Sequence, residues 1–475
     1  MLRRTKILAT LGPATDKPGV LEAMVRAGVD VVRLNFSHGD AADHRRRVAL
    51  VRAASAAAGK DVGILGDLQG PKIRIERFRD GVVMLADGQA FALDAGLDAD
   101  AGSASAVGIT YKDLPADVKR GDRLLLNDGL IVLVVEKVVG ARIECRVESG
   151  GELSNSKGIN RQGGGLTAKA LTDKDLADIA VAAELSVDYL AISFPRDAAD
   201  IIEARRLARA AGSQAGIVAK IERAEAVTHL EDIVKVSDAV MIARGDLAVE
   251  IGDAELPGVQ KHIIHVARDL NTVVITATQM MESMIVNAVP TRAEVLDVAN
   301  AVMDGTDAVM LSAETASGKH PVKVVEAMAR VCMGAEKERM TQRSKHRLDS
   351  HFDKVDEAIA MATMYVANHL DVKAIGALTE SGSTALWMSR IRSGIPIYAL
   401  TRHDSTRRRV TLYRGVYPIE FDVTHSDGEH VLREAADELL RRGAVERGDL
   451  VVFTRGDLSG VTGGTNGLKI ERVGG

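Results

Sequence analysis

Short apolar runs, each ending in polar or charged side chains and followed by a helix-length segment, recur along the first two-thirds of this chain. They lie at about 6 to 10, 29 to 36, 62 to 67, 188 to 194, 216 to 222, 238 to 243, 272 to 277 and 307 to 312. A strand returning through a helix to the next strand gives a parallel pair, so this alternation commits the chain to a parallel sheet. With eight such units the fold class read from the sequence is α/β, a (β/α)8 TIM barrel, in which chemistry sits where the strands end.

The alternation is interrupted once. From about 72 to 166 the pattern changes to short alternating runs with turn signals at Asp87-Gly88 and Asn127-Asp128-Gly129, which reads as an inserted all-β lid domain. Gly163-Gly164-Gly165 marks its exit and hinge, and Thr172-Asp173-Lys174-Asp175 opens the next helix. A basic, polar linker follows at 340 to 347. Beyond it, strands near 374 to 379, 396 to 400, 415 to 421 and 449 to 454 suit a C-terminal open-sheet α/β domain. The domains are therefore 1 to 70 with 168 to 344, the insert 71 to 167, and 345 to 475.

Composition narrows the function. Across 475 residues, 61 Lys and Arg against 66 Asp and Glu give a formal charge of −5, too little positive field to hold nucleic acid or an anionic membrane. Cys145 and Cys332 are too few for a thiolate metal site or a disulfide framework, so the expected compartment is the reducing cytoplasm. No run approaches the ~18 apolar residues of a membrane span.

The strand ends carry the charge. Lys220 and Glu222 leave the fifth run on one face, because side chains alternate along a strand. The sixth run stops at Arg244-Gly245-Asp246. Carboxylates from adjacent strand ends, Glu222 and Asp246, can hold a hard divalent cation completed by water and substrate oxygens. The alternative is an ordinary ion pair between Lys220 and Glu222. Arg33, Asn35 and Ser37 follow the second run, Asp67 the third, Thr278 and Gln279 the seventh, Ser312 and Glu314 the eighth; so many polar groups on one rim favour an active site. In the C-terminal domain, Thr379-Glu-Ser-Gly-Ser-Thr384 leads from a strand into a helix, an arrangement that cradles phosphate or simply caps the helix. A second glycine-rich segment, 457 to 467, could close over the same ligand.

Read together, Leu8-Ala-Thr-Leu-Gly-Pro13, Arg33-Leu-Asn-Phe-Ser-His-Gly39, Gly66-Asp-Leu-Gln-Gly-Pro-Lys-Ile-Arg74, Ala219-Lys-Ile-Glu222, Ala243-Arg-Gly-Asp-Leu247, Ala277-Thr-Gln-Met280, Pro290-Thr-Arg-Ala-Glu294 and Met310-Leu-Ser-Ala-Glu-Thr315 resemble the motifs of the pyruvate kinase family, in order and over essentially the whole chain. The resemblance implies a cytoplasmic homotetramer that transfers a phosphoryl group from phosphoenolpyruvate to ADP, giving pyruvate and ATP at the end of glycolysis. It implies catalytic roles for Lys220, Arg33, Thr278 and Ser312, and substrate contacts from Arg33, Lys220, Gly245, Asp246 and Thr278. It implies nucleotide contacts from Asn35, His38, Arg74 and Lys157. Mg²⁺ or Mn²⁺ would sit on Glu222 and Asp246, and a phosphorylated allosteric effector, a sugar phosphate or AMP, on Thr379, Ser381, Gly382, Ser383 and Thr384. Which group protonates the enolate stays open between Thr278 and a water relay through Thr278 and Ser312.

One departure concerns K⁺. Many family members place K⁺ among residues like Asn35, Ser37, Asp67 and the carbonyl of position 68, and read Thr-Lys-Gly-Pro-Glu where this chain has Leu68-Gln69-Gly70-Pro71-Lys72. The expectation is that Lys72 substitutes for the ion and K⁺ is not required. Two other readings compete. A metal-dependent (β/α)8 aldolase or lyase acting on pyruvate or phosphoenolpyruvate would share the carboxylate pair but need no nucleotide lid, and a silent phosphate sensor would need none of Lys220, Glu222, Asp246 and Thr278.

Overall fold

The computed structural model describes residues 2 to 342, 351 to 422, 430 to 456 and 463 to 474. Its centre is a closed barrel of eight parallel strands: β1 Lys6–Thr10, β2 Val31–Asn35, β3 Gly63–Asp67, β4 Tyr189–Ile192, β5 Gly216–Ile221, β6 Ala239–Ala243, β7 Val273–Ala277 and β8 Ala308–Leu311. Neighbours in sequence are neighbours in the barrel, and β8 closes onto β1 with Leu311 opposite Ala9. Every residue of β5 is buried, which is why it reads as an unbroken apolar run with one lysine near its end.

The helices start where the sequence supplies caps. Thr172 and Asp175 form a reciprocal capping box for Asp173–Glu184, and Thr291 with Glu294 does the same for Arg292–Asp304. Between β5 and β6 the chain forms two helices, Ala224–Thr228 and Leu230–Lys235, meeting at His229. β6 stops at Ala243, as read from the sequence, and Arg244 already begins a helix, Arg244–Ile251. The fourth strand is shorter than the sequence reading. β4 ends at Ile192, because Phe194 adopts a left-handed φ of 55° that no strand can continue through.

The insert leaves after β3 and returns before β4. Six of its strands form one sheet in the order Ile159–Arg161, Arg123–Leu126, Ile131–Val139, Arg142–Ser149, Ala90–Asp94, Ala106–Gly108, around their own apolar core. The C-terminal domain has five strands rather than the expected four. Val416–Glu420, Ile397–Thr401, Val372–Leu378 and Leu450–Gly456 are parallel, and Thr465–Arg472 pairs antiparallel along the edge. Residues 343 to 347 of the expected linker and 457 to 462 of the second glycine-rich segment lie outside the described residues.

This domain seals the barrel floor. Interior barrel residues such as Leu8, Val31, Leu65 and Met241 belong to one buried cluster with Met388, Val410, Leu412 and Tyr413. The Tyr189 hydroxyl donates to the Arg409 carbonyl at 2.6 Å, and Arg408 pairs with Asp188 at 2.9 Å. Among the described residues no helix is long and apolar enough to cross a membrane.

Candidate active site

At the opposite end of the barrel the strand ends meet. Lys220 Nζ lies 2.9 Å from Glu222 Oε1 and 3.3 Å from Asp67 Oδ1, and donates to Ser193 Oγ at 2.7 Å. Burial pulls the Lys220 ammonium toward neutrality, but the Asp67 and Glu222 carboxylates outweigh it and hold its pKa above the ordinary value. The other oxygen of Asp67 accepts from Arg33 Nε at 2.6 Å. Lys220 and Arg33 keep Asp67 ionised despite complete burial.

Glu222 Oε2 accepts the Phe194 N–H at 2.8 Å, so the carboxylate that faces the cavity is itself held by backbone. Asp246 sits in the first turn of Arg244–Ile251, where backbone N–H groups have no partner within the helix. Burial first, then repulsion from Glu222, push the Asp246 carboxyl up to about 7, and Asp128 adds to that repulsion. Two acids crowding each other at a cavity wall are the donor set that a divalent cation relieves. Among the described residues no group of three or more His, Cys, Asp or Glu could hold a metal ion, so the remaining ligands would come from substrate and water.

These side chains line a cavity of about 260 Å³ between the barrel rim and the lid. The lid supplies Asp128, Gly158, Ile159 and Asn160. Lys157 precedes that run, and its carbonyl accepts from Ile75 at 2.9 Å, beside the bridge between Arg74 and Gly158. Arg74 lines the cavity; Lys157 is not among the lining residues and adjoins Arg74 and Ile75 through its backbone only. Lys72 is half-buried in the cavity wall, and burial with repulsion from Arg74, Lys174 and Lys220 brings it down to about 8. His38 is exposed, its pKa lowered by burial and by Lys72, Arg33 and Arg74, which marks one wall as a cationic cluster.

The lid's two legs are anchored differently. On the first, Gly70 has φ of 66° and a Cβ there would lie 2.8 Å from the Ser193 Cβ, so only glycine passes; its N–H donates to Asp175 at 3.0 Å. On the second, Gly163 N–H donates to the Glu250 carbonyl at 2.9 Å, while Gly165 and Leu166 bond Glu225 and Arg223. The Glu250 carboxylate accepts from Ala224 N–H at 2.9 Å and from the lid's Asn160, and burial pushes it up to about 7.

Thr278 and Ser312 stand at the ends of β7 and β8, outside the residues that line the cavity. Thr278 has φ of 72° and Gln279 of 55°, a turn held by Arg244, which donates to the Ala277 carbonyl at 3.0 Å and the Thr278 carbonyl at 2.6 Å. A Cβ on Gly245 would come within 3.0 Å of the Thr278 methyl, so these two residues are in close contact. Glu314 turns away from the centre, accepting from Ser312 N–H at 2.6 Å and Met281 N–H at 3.2 Å. Three of the four groups expected to hold K⁺ meet protein donors: Asn35 Oδ1 accepts from Ser37 N–H at 3.1 Å, the Leu68 carbonyl from Ser193 Oγ at 2.7 Å, and Asp67 is shared by Arg33 and Lys220.

Comparison with known proteins gives the same answer along the whole chain. Residues 2–325 match the model of the pyruvate kinase barrel domain and 357–471 that of the pyruvate kinase alpha/beta domain. Pyruvate kinase II of Salmonella typhimurium is 58% identical over 476 residues, covering 99% of both chains, and the pyruvate kinase of Mycobacterium intracellulare is 42% identical over 475 residues, covering 100% of this chain and 99% of its own. The crystal structure of a pyruvate kinase from Cryptosporidium parvum superposes with a TM-score of 0.92 at 32% identity, covering 99% of this chain and 96% of that one. The chain belongs to the pyruvate kinase family.

In this pyruvate kinase the sequence reading missed four residues that shape the site. Ser193 joins Lys220 to the Leu68 carbonyl, Asp128 brings a lid carboxylate toward Asp246, Glu250 fastens the lid, and Arg244 holds the β7 exit. Ser193 follows β4 much as Asp67 ends β3, but the strand end that exposes it is not visible in the sequence. The C-terminal loop of this pyruvate kinase is a folded turn: Thr379 Oγ1 accepts from Gly382 N–H at 2.9 Å, and Ser381 and Ser383 hydroxyls lie 3.2 Å apart. Thr384 is buried, its hydroxyl 2.7 Å from that of Thr465. That contact brings the end of the second glycine-rich segment against the first.

Proposed function

We infer that the chain is a phosphotransferase that moves the phosphoryl group of phosphoenolpyruvate to ADP, forming pyruvate and ATP. The observation that carries the reading is Lys220, flanked by Glu222 and Asp67, in a cavity shared with Asp246 and Arg74 and walled on one side by the lid residues Asp128, Gly158 and Asn160. Phosphoryl transfer asks little covalent chemistry of the protein and much neutralisation of spreading charge. Arg33 meets the phosphoryl oxygens. The P–O bond to the enol oxygen breaks as a terminal ADP oxygen takes the phosphorus, and Lys220 Nζ stabilises the enolate oxygen until carbon accepts a proton. The first-turn N–H groups of Gly245 and Asp246 receive the substrate carboxylate. Thr278 stands beside Gly245, where it passes the proton either directly or with Ser312 through water.

Glu222 and Asp246 would hold Mg²⁺ or Mn²⁺, whose chemistry when bound is to neutralise substrate oxygens as a Lewis acid. We further propose that K⁺ is not required, because Lys72 brings a fixed ammonium to the cavity wall. The same reading makes the chain a cytoplasmic homotetramer whose Thr379 to Thr384 turn binds a phosphorylated effector. The deciding experiment is pyruvate production from phosphoenolpyruvate with and without ADP. Turnover that ignores ADP would overturn the phosphotransferase reading and favour a lyase.

A further inference from the structure

Where the C-terminal domain meets the barrel floor, five guanidinium groups surround a second, very small cavity: those of Arg4, Arg268, Arg390, Arg392 and Arg414, with Asp307 the one carboxylate in its wall. Two arginines are matched. Arg390 forks onto Asp307, with Nη1 to Oδ2 at 2.9 Å, and Arg4 lies against Glu336, whose oxygens also accept from the Arg4 N–H at 2.9 Å and the Thr5 N–H at 2.6 Å.

The other three have no carboxylate in ion-pair contact among the described residues. Arg268 donates to the Arg390 carbonyl at 3.2 Å, Arg392 to the Met340 carbonyl at 2.8 Å, and Arg414 to the Thr306 carbonyl at 2.8 Å. Asp304, the carboxylate that acts on Arg392 from a distance, is taken by Lys261 at 2.5 Å. Carbonyl dipoles satisfy the N–H groups but leave the charge, so guanidinium groups outnumber carboxylates around a half-buried pocket. All three arginines are held below their ordinary pKa by burial first and then by neighbouring guanidinium groups, Arg392, Arg390 and Arg414 acting on Arg268, Arg414 on Arg392 and Arg4 on Arg414, with Arg268 brought down to about 10. Arg4 Nε, on a residue 4% exposed, has no hydrogen-bond partner. Like charge gathered around a half-buried pocket is relieved when a counter-ion shares the site.

We propose that this cavity binds one monatomic anion, a halide such as chloride, which ties the C-terminal domain to the barrel. Size selects the class: about 20 Å³ accommodates one water-sized particle and leaves no room for a phosphate ester. The anion lies among guanidinium groups from both domains, Arg268 from the barrel and Arg390, Arg392 and Arg414 from the C-terminal domain, so it stabilises their joined arrangement.

The test uses the full-length protein in sodium chloride against sodium methanesulfonate at matched ionic strength, with bromide as the crystallographic probe. The expected results are an anomalous bromide peak in the cavity and a thermal midpoint that rises with halide by roughly 2–4 °C. Arg268→Met removes one surplus charge and no ion pair, so it should lose the halide increment while being no less stable than wild type in methanesulfonate. Absence of the bromide peak, or an equal increment in Arg268→Met, would overturn the proposal. Should that variant not fold, the bromide map of the wild-type protein decides alone.

Discussion

Lys220 donates a 2.7 Å hydrogen bond to Ser193 Oγ, which in turn donates at 2.7 Å to the Leu68 carbonyl. The Lys220 ammonium is thereby aimed by the ends of two other strands. Ser193→Ala removes that aim but leaves the ion pairs to Glu222 and Asp67. A hydrogen bond to a charged group contributes about 1.5–3 kcal/mol, so turnover should fall roughly 10- to 100-fold with the fold intact. Steady-state kinetics beside a thermal melt checks this.

Lys220→Met should remove turnover while phosphoenolpyruvate and Mg²⁺ still bind. The ammonium acts on charge that develops mainly in the transition state, so its loss appears in kcat rather than KM. The expected loss is at least about 10²–10³-fold, the size of deleting one oxyanion donor. Near-normal turnover with weakened substrate binding would refute the assignment.

Much of this site was legible because a barrel strand ends abruptly in chemistry: Asp67, Lys220 and Glu222 all follow apolar runs. Ser193 was hidden by the same rule, since Ala-Ile-Ser-Phe continues to alternate like a strand and nothing in a phenylalanine announces a φ of 55°. Asp128 reads as a turn residue, and only the closure of the lid brings it toward Asp246. The edge strand Thr465–Arg472 was missed because its residues are mostly polar and partly exposed; pairing with Leu450–Gly456, a long-range contact, makes it a strand.

Lys72 gives the K⁺ question a pH dependence. Its pKa of about 8 means the ammonium is present below that pH and lost above it. Initial rates with tetramethylammonium as the only monovalent cation should therefore be insensitive to added KCl near pH 7 and become sensitive above about pH 8.5. Lys72→Glu should depend on K⁺ at every pH. Two charges 4 Å apart at an effective dielectric of 20 interact by about 4 kcal/mol, enough for order-of-magnitude effects. A wild-type enzyme stimulated by orders of magnitude by KCl at pH 7 would sink the idea.

Joint replacement of Thr379, Ser381 and Thr384 by Ala should abolish activation by phosphorylated metabolites and leave basal turnover near normal. The turn lies on the C-terminal sheet, remote from Lys220, so a ligand there acts by favouring one arrangement of domains or subunits. Assaying a panel of sugar phosphates and AMP measures it; activation that persists would place the effector elsewhere.

The seal on the barrel floor means that the seam in the sequence near residue 345 is not a seam in the molecule. Because Leu8, Val31 and Leu65 share one buried cluster with Val410, Leu412 and Tyr413, cutting the chain there would lay open an apolar face on both halves. The barrel is not an interchangeable module. A change of C-terminal domain, in evolution or at the bench, has to bring its own fitted plug, so the barrel and the C-terminal domain are constrained to diverge together.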